Sequence, residues 1–139
     1  MSQAKGNPNP ANSEPADSRP LVFAVDDEPM LLELVALVLD PLGFKVRMFR
    51  DPGTAIRAFA LQDPPPALIV TDYAMHNMTG MDLIRECRRV NPKQKIIMVS
   101  GTVDETIYRN SAQKPDGFLA KPYQGRQLSE LVRDVLGMK

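Results

Sequence analysis

The chain has 139 residues, and its 17 Lys and Arg balance its 17 Asp and Glu. That length supports one domain with a buried core, and zero net charge argues against nucleic acid or an anionic membrane as a direct partner, since both need a basic face. A single cysteine, Cys87, rules out an internal disulfide and fits a reducing compartment; with no apolar leader and no membrane-length apolar run, the expectation is a soluble cytoplasmic protein.

Residues 1–19 are rich in Pro, Asn, Ser and Ala and show no apolar periodicity. Such a segment buries too little surface to offset its ordering entropy, so it is read as a disordered tail preceding a domain over residues 20–139. There are no internal repeats. From Pro20 onward short apolar runs alternate with helical patterns, which predicts a βα series and a parallel sheet.

The first strand is Leu21–Val25. The first helix starts near Pro29, with Leu31, Leu34, Val35, Val38, Leu39 and Leu42 spaced as one buried stripe, and Gly43 ends it. Leu32, Ala36 and Leu37 fall outside that stripe and read as an apolar outer face. Such a face fits either a protein contact surface or ordinary surface leucines. The second strand, Phe44–Phe49, alternates as an edge strand does. The second helix begins at Asp51-Pro52, buries Ile56, Phe59 and Ala60, and stops at the prolines 64–66.

The third strand is Ala67–Val70, and the third helix, from Gly80, buries Leu83, Ile84, Cys87 and Val90. Arg85, Arg88 and Arg89 share a side of it and read as a solvated basic face. The fourth strand is Ile96–Val99. Thr102 to Glu105 fits a capping box that opens a fourth helix, polar and weakly packed, with Ile107 and Ala112 inward. The fifth strand is Phe118–Ala120, and a fifth helix buries Leu128, Leu131, Val132, Val135 and Leu136. Five strands and five helices make an α/β, doubly wound parallel sheet.

Four of the strands run into a different polar residue: Asp26-Asp27, Thr71-Asp72, Ser100 and Lys121-Pro122. In doubly wound sheets ligands bind at the carboxyl ends of the strands. Three carboxylates crowded there repel one another, and a divalent cation relieves that; all-oxygen ligation suits Mg²⁺. Asp72 can then act as a carboxylate nucleophile toward phosphorus, with Lys121 and Ser100 for the phosphoryl oxygens.

Together with the stretch from Met75 through Gly80-Met81-Asp82-Leu83-Ile84 and the segment Phe118–Pro122, these residues resemble the receiver domain of two-component response regulators. The resemblance covers residues 20 to about 138. It implies a flavodoxin-like fold with strand order 2-1-3-4-5. Asp72 would be the phosphoacceptor. Asp27, Asp72 and the Ala74 carbonyl would hold Mg²⁺ directly, and Asp26 would act mainly through water. Ser100 and Lys121 would engage the phosphoryl group, Phe118 would be the aromatic that turns inward on activation, and the Lys121–Pro122 bond would be cis. The implied partners are a sensor histidine kinase or histidine phosphotransfer protein and an unknown downstream protein, reached through helix 4, strand 5 and helix 5.

His76 stands where this family usually has proline, and reads as an ordinary loop residue. A phosphatase of the haloacid-dehalogenase type would use a similar residue set. It needs a second Asp two residues after the nucleophile, where this chain has Ala74, and an acidic pair late in the chain instead of at Asp26-Asp27. A binding module that is never phosphorylated is disfavoured by the intact acidic set. The pattern leaves open a stand-alone receiver or the front of a longer chain.

Overall fold

The computed structural model describes residues 18–138. The predicted tail lies outside the described residues except for Ser18 and Arg19. Five strands are present: β1 (Leu21–Val25), β2 (Lys45–Phe49), β3 (Leu68–Asp72), β4 (Ile96–Ser100) and β5 (Gly117–Ala120). All neighbouring strands pair in parallel, in the order β2-β1-β3-β4-β5. The chain winds outward from β1 to β2 and then restarts on the other side of β1 with β3. The switch point between β1 and β3 therefore opens a crevice at their carboxyl ends.

Parallel strands covered on both faces bury every side chain, so β3 and β4 are buried throughout. Alternate residues feed two cores. Val22, Ala24, Leu68, Val70, Ile97 and Val99 face one side, under α1 (Pro29–Leu39) and α4 (Gly125–Leu136). Phe23, Val25, Ile69, Ile96 and Met98 face the other, under α2 (Pro52–Leu61) and α3 (Gly80–Val90). Phe23 stacks its ring against Phe49 at 4.7 Å between centroids, which holds edge strand β2 to the centre.

In α1 the buried residues are Leu32, Val35 and Leu39, while Leu31, Leu34 and Val38 are only half-buried. Leu32 therefore belongs to the core, against the sequence reading. A helix this apolar carries two overlapping stripes, and packing against the sheet and α4 selects between them. Leu37 does lie outside, 73% exposed. In α2 the buried stripe is Pro52, Ala55 and Phe59, so Ala60 is exposed. Val90 is exposed as well: it is the last residue of α3, where no further turn continues the stripe. On α3, Arg85, Arg88 and Arg89 pair with Asp82, Asp116 and Glu86.

The predicted fourth helix is not formed, so the described residues hold four α-helices and not five. Residues 101–116 contain only a short 3₁₀ turn, Glu105–Tyr108. Its cap is Asp104, whose Oδ1 accepts the Thr106 N–H at 3.0 Å, and not Thr102. Ile107 and Ala112 are exposed. Within 101–113 the only partly covered apolar residues are Val103 and Tyr108, too few to bury a helical stripe. Side-chain bonds from Asp104 and Ser111 to nearby backbone compete with helical hydrogen bonding instead. Among the described residues no helix is long and apolar enough to cross a membrane.

Truncation of α1 separates its two leucines. Leu32→Ala is expected to cost about 2–5 kcal/mol and Leu37→Ala less than about 0.5 kcal/mol, read from urea unfolding midpoints. Equal losses would mean that the buried stripe is assigned wrongly.

Candidate functional site

Strand register places the site. Asp26 follows the last residue of β1, and its backbone N–H donates to the Phe49 carbonyl at 3.0 Å. Asp72 is the last residue of β3, and the next N–H, from Tyr73, donates to the Val99 carbonyl at 2.8 Å. Lys121 follows β5, with its N–H on the Ser100 carbonyl at 2.8 Å. Each of these backbone bonds extends the sheet by one step, so the side chains meet above the switch point. The Lys121–Pro122 peptide is cis.

Asp26, Asp27 and Asp72 each offer a carboxylate oxygen, and these oxygens all lie within 4.8 Å of one another. Asp26 and Asp72 are buried, whereas Asp27 is exposed. The Lys121 ammonium lies 3.1 Å from Asp72 Oδ1 and 3.4 Å from Asp26 Oδ2. Asp26 is also held from below, its Oδ1 accepting the Glu28 N–H at 3.0 Å.

Burial is the largest influence on both inner carboxyls and pushes them above the usual carboxylate range. The Glu28 N–H opposes it at Asp26, and the Lys121 hydrogen bond opposes it at Asp72. At Lys121 burial works downward, but the bonds and charges of Asp72 and Asp26 outweigh it and raise the ammonium overall. One ammonium thus leaves three carboxylates under-compensated. Their all-oxygen set fits a hard divalent cation such as Mg²⁺.

Gly80 supports this geometry from α3. A Cβ at this position would lie 2.7 Å from the Asp72 carbonyl and 3.0 Å from Met98 Sδ, so only glycine lets the helix approach the strand end so closely. The capping box of Thr79 and Asp82 fixes the same helix start, with the Asp82 N–H on Thr79 Oγ1 at 3.2 Å. Ala74 pairs with Thr79 in an isolated bridge, and Asn77 takes the left-handed backbone (φ 75) that the intervening turn needs.

The remaining sequence-selected residues divide. Ser100 is buried at the end of β4, but its hydroxyl oxygen accepts the N–H groups of Thr102 at 3.1 Å and Val103 at 3.0 Å. Phe118 is half-buried and packs its ring on Tyr108. His76 is exposed. Cys87 is buried, its thiol pushed up to about 12 by desolvation, and so behaves as a small apolar residue. The apolar outer face of α1 loses Leu32 to the core. Leu37 instead lines a groove of about 570 Å³ with Val46 and Met48 beside edge strand β2.

Sequence reading misses Tyr123 as part of the site and gives Gly80 only as a helix start within the family stretch. Tyr123 lines a small cavity together with Asp26, Thr71 and Asp72. Its position two residues past Lys121 was the available signal.

A parallel sheet ordered 2-1-3-4-5, with an acidic cluster and a lysine at its carboxyl edge, defines a receiver-type domain. Residues 22–133 match the model of the response regulator receiver domain, and the chain belongs to that family. The two-component response regulator ORR11 of Oryza sativa subsp. indica is 32% identical over 120 residues, covering 84% of this chain and 81% of that protein. The probable transcriptional regulatory protein TcrX of Mycobacterium tuberculosis is 29% identical over 124 residues. The sensor kinase CckA of Brucella abortus is 39% identical over 116 residues. The match to TcrX takes in 87% of this chain but 52% of that protein, and the match to CckA takes in 83% of this chain but 12% of that protein.

Among solved structures, a receiver domain protein from Clostridium thermocellum superimposes with a TM-score of 0.77 at 22% identity, covering 85% of this chain and 94% of that one. The chemotaxis response regulator CheY4 of Vibrio cholerae gives 0.75 at 25% identity, covering 86% and 100%. These likenesses establish the flavodoxin-like receiver fold. Receiver domains are the regulatory phosphoacceptor domains of two-component systems, are phosphorylated by sensor kinases and bind Mg²⁺ at an acidic pocket.

The raised carboxyls carry a pH signature. The folded chain holds the Asp26 proton more tightly than the unfolded chain does. Stability is therefore lost as pH rises from the ordinary value of 3.8 through the raised folded value, and the cost is complete above it. With metal chelated, Asp26→Asn is expected to unfold at a higher temperature than wild type at neutral pH. The gap should narrow as pH falls through that window, followed by circular dichroism. A gap that widens on acidification would contradict the burial penalty.

Proposed function

We propose that this domain is a phosphoacceptor switch in which Asp72 receives a phosphoryl group, with Mg²⁺ bound, from a histidine kinase or a histidine phosphotransfer protein. The observation that carries this reading is the Lys121 ammonium 3.1 Å from an Asp72 oxygen, beside three carboxylate oxygens within 4.8 Å of one another. Asp27, Asp72 and the Ala74 carbonyl would hold the ion directly, and Asp26 through water. Bound there, Mg²⁺ supplies positive charge against the carboxylates and the incoming phosphoryl oxygens.

An Asp72 carboxylate oxygen attacks phosphorus. The P–N bond of the phosphohistidine breaks, and the imidazole nitrogen leaves with the electron pair. Asp72 is left as an acyl phosphate. Lys121 already faces Asp72 and so balances the charge of a phosphoryl oxygen without rearranging. Ala74 offers no side-chain carboxyl to a hydrolytic water, which favours storage of the group over turnover.

Ser100 then exchanges its two backbone N–H partners for a phosphoryl oxygen, and Phe118 moves into the space beside it. The surface that changes comprises the 3₁₀ segment after β4, strand β5 and α4, and it meets a downstream protein in the cytoplasm. Direct nucleic-acid contact has no role in this reading, because the domain carries no net positive charge.

Acetyl phosphate with Mg²⁺ is expected to label the wild-type chain to one equivalent and to leave Asp72→Asn unlabelled, as read by intact mass. Chelation of Mg²⁺ should abolish labelling. Equal labelling of both chains would overturn the assignment, and turnover well beyond one equivalent would point to a phosphatase instead.

A further inference from the structure

Two restraints tie the polar segment after β4 to the body of the domain. At its start, Ser100 Oγ accepts the N–H groups of Thr102 and Val103 at 3.1 and 3.0 Å. In its middle, the Tyr108 ring packs on Phe118, with centroids 6.0 Å apart, and joins the core cluster around Leu83 and Met98. Between these points there is little else to hold it. Thr102, Asp104 to Ile107, Arg109, Asn110 and residues 112–114 are exposed. Beyond them the chain is secured again, where Arg88 bonds the Lys114 carbonyl and the Asp116 carboxylate.

Both restraints belong to the residues that phosphorylation is proposed to move. We propose that Tyr108 is a latch, and that phosphorylation of Asp72 frees residues 101–113 by withdrawing Ser100 and Phe118 together. The release step rests on the reading of Asp72 as phosphoacceptor; the latch itself does not. A Ser100 hydroxyl turned toward a phosphoryl oxygen leaves the N–H groups of Thr102 and Val103 to water. A Phe118 ring turned inward removes the surface on which Tyr108 rests. Of the segment's other apolar residues, Ile107 and Ala112 face outward, and only Val103, whose N–H already rests on Ser100, is partly covered.

The signal then passes as a change in the order of a surface segment, not as the shift of a formed helix. Tyr108 carries much of the consequence. In the resting domain its ring is partly covered. Once freed, it is an aromatic side chain on a mobile loop, the kind of group that anchors a protein interface.

Amide hydrogen exchange of the full chain in Mg²⁺, with and without beryllofluoride, tests both steps. In wild type, beryllofluoride is expected to speed exchange in 101–113 by about tenfold or more, as loss of an aromatic contact permits. Tyr108→Ala should exchange fast in this segment without beryllofluoride. Tyr108→Phe, which keeps the ring, should match wild type. All three should take label from acetyl phosphate equally.

Wild-type protection in resting Tyr108→Ala would overturn the latch, and that arm needs no phosphoryl chemistry. Exchange in 101–113 that is unchanged or slowed by beryllofluoride, in a chain whose Asp72 takes label, would overturn the release. Absence of label on Asp72 would instead overturn the reading beneath the release step.

Discussion

Everything in this domain turns on holding two buried carboxylates next to one another. Asp26 and Asp72 sit at the ends of adjacent parallel strands, where register brings their side chains together and burial raises both carboxyls. A lone ammonium reaches both of them, and a third carboxylate, Asp27, stands at the rim. Such an arrangement is costly in an empty domain, because desolvated like charges are only partly offset. A cation held there, as proposed for Mg²⁺, would relieve that cost. The hydrophobic sheet beneath it supplies the stability that the carboxylate cluster lacks.

The sheet meets that demand through topology. Parallel strands reach the same edge with the same polarity, so a polar residue placed after each apolar run arrives in one crevice. Helix approach then sets the fine geometry. Gly80 lets α3 close on the Asp72 carbonyl, and the Thr79–Asp82 box fixes where that helix begins. A side chain at Gly80 would push against the Asp72 backbone, so its effect would reach the carboxylate cluster as well as the packing.

Legibility followed the physics of each element. Strands buried on both faces announce themselves as unbroken apolar runs, and the polar residues that end them bring Asp26, Asp72 and Lys121 together at one sheet edge, whereas Ser100 bonds the Thr102 and Val103 backbone. The α1 stripe was misread at Leu32 because nearly every residue there is apolar; periodicity fails when there is no polar face to contrast with. Val90 and Ala60 failed for a related reason, since the end of a helix and its rotational phase are set by what it packs on. Tyr123 was missed because an aromatic beside a cis proline turn looks like ordinary core. Only the folded chain places it beside Asp26 and Asp72, where the three line one small cavity.

The missing fourth helix is the most informative error. The sequence after Ser100 offers a cap signal but no stripe, and the local signal was read as a helix start. In the structure the same residues bond their neighbours: Asp104 bonds Thr106, Ser111 bonds Gln113 and Ser100 bonds Thr102 and Val103. Polar side chains that satisfy backbone locally compete with helix, and nothing apolar rewards the alternative. A segment built this way is held by few contacts, so a small change at Ser100 or Phe118 is a large fraction of what fixes it. Weak amphipathicity, which degrades a helix assignment, is the same property that makes a segment easy to move.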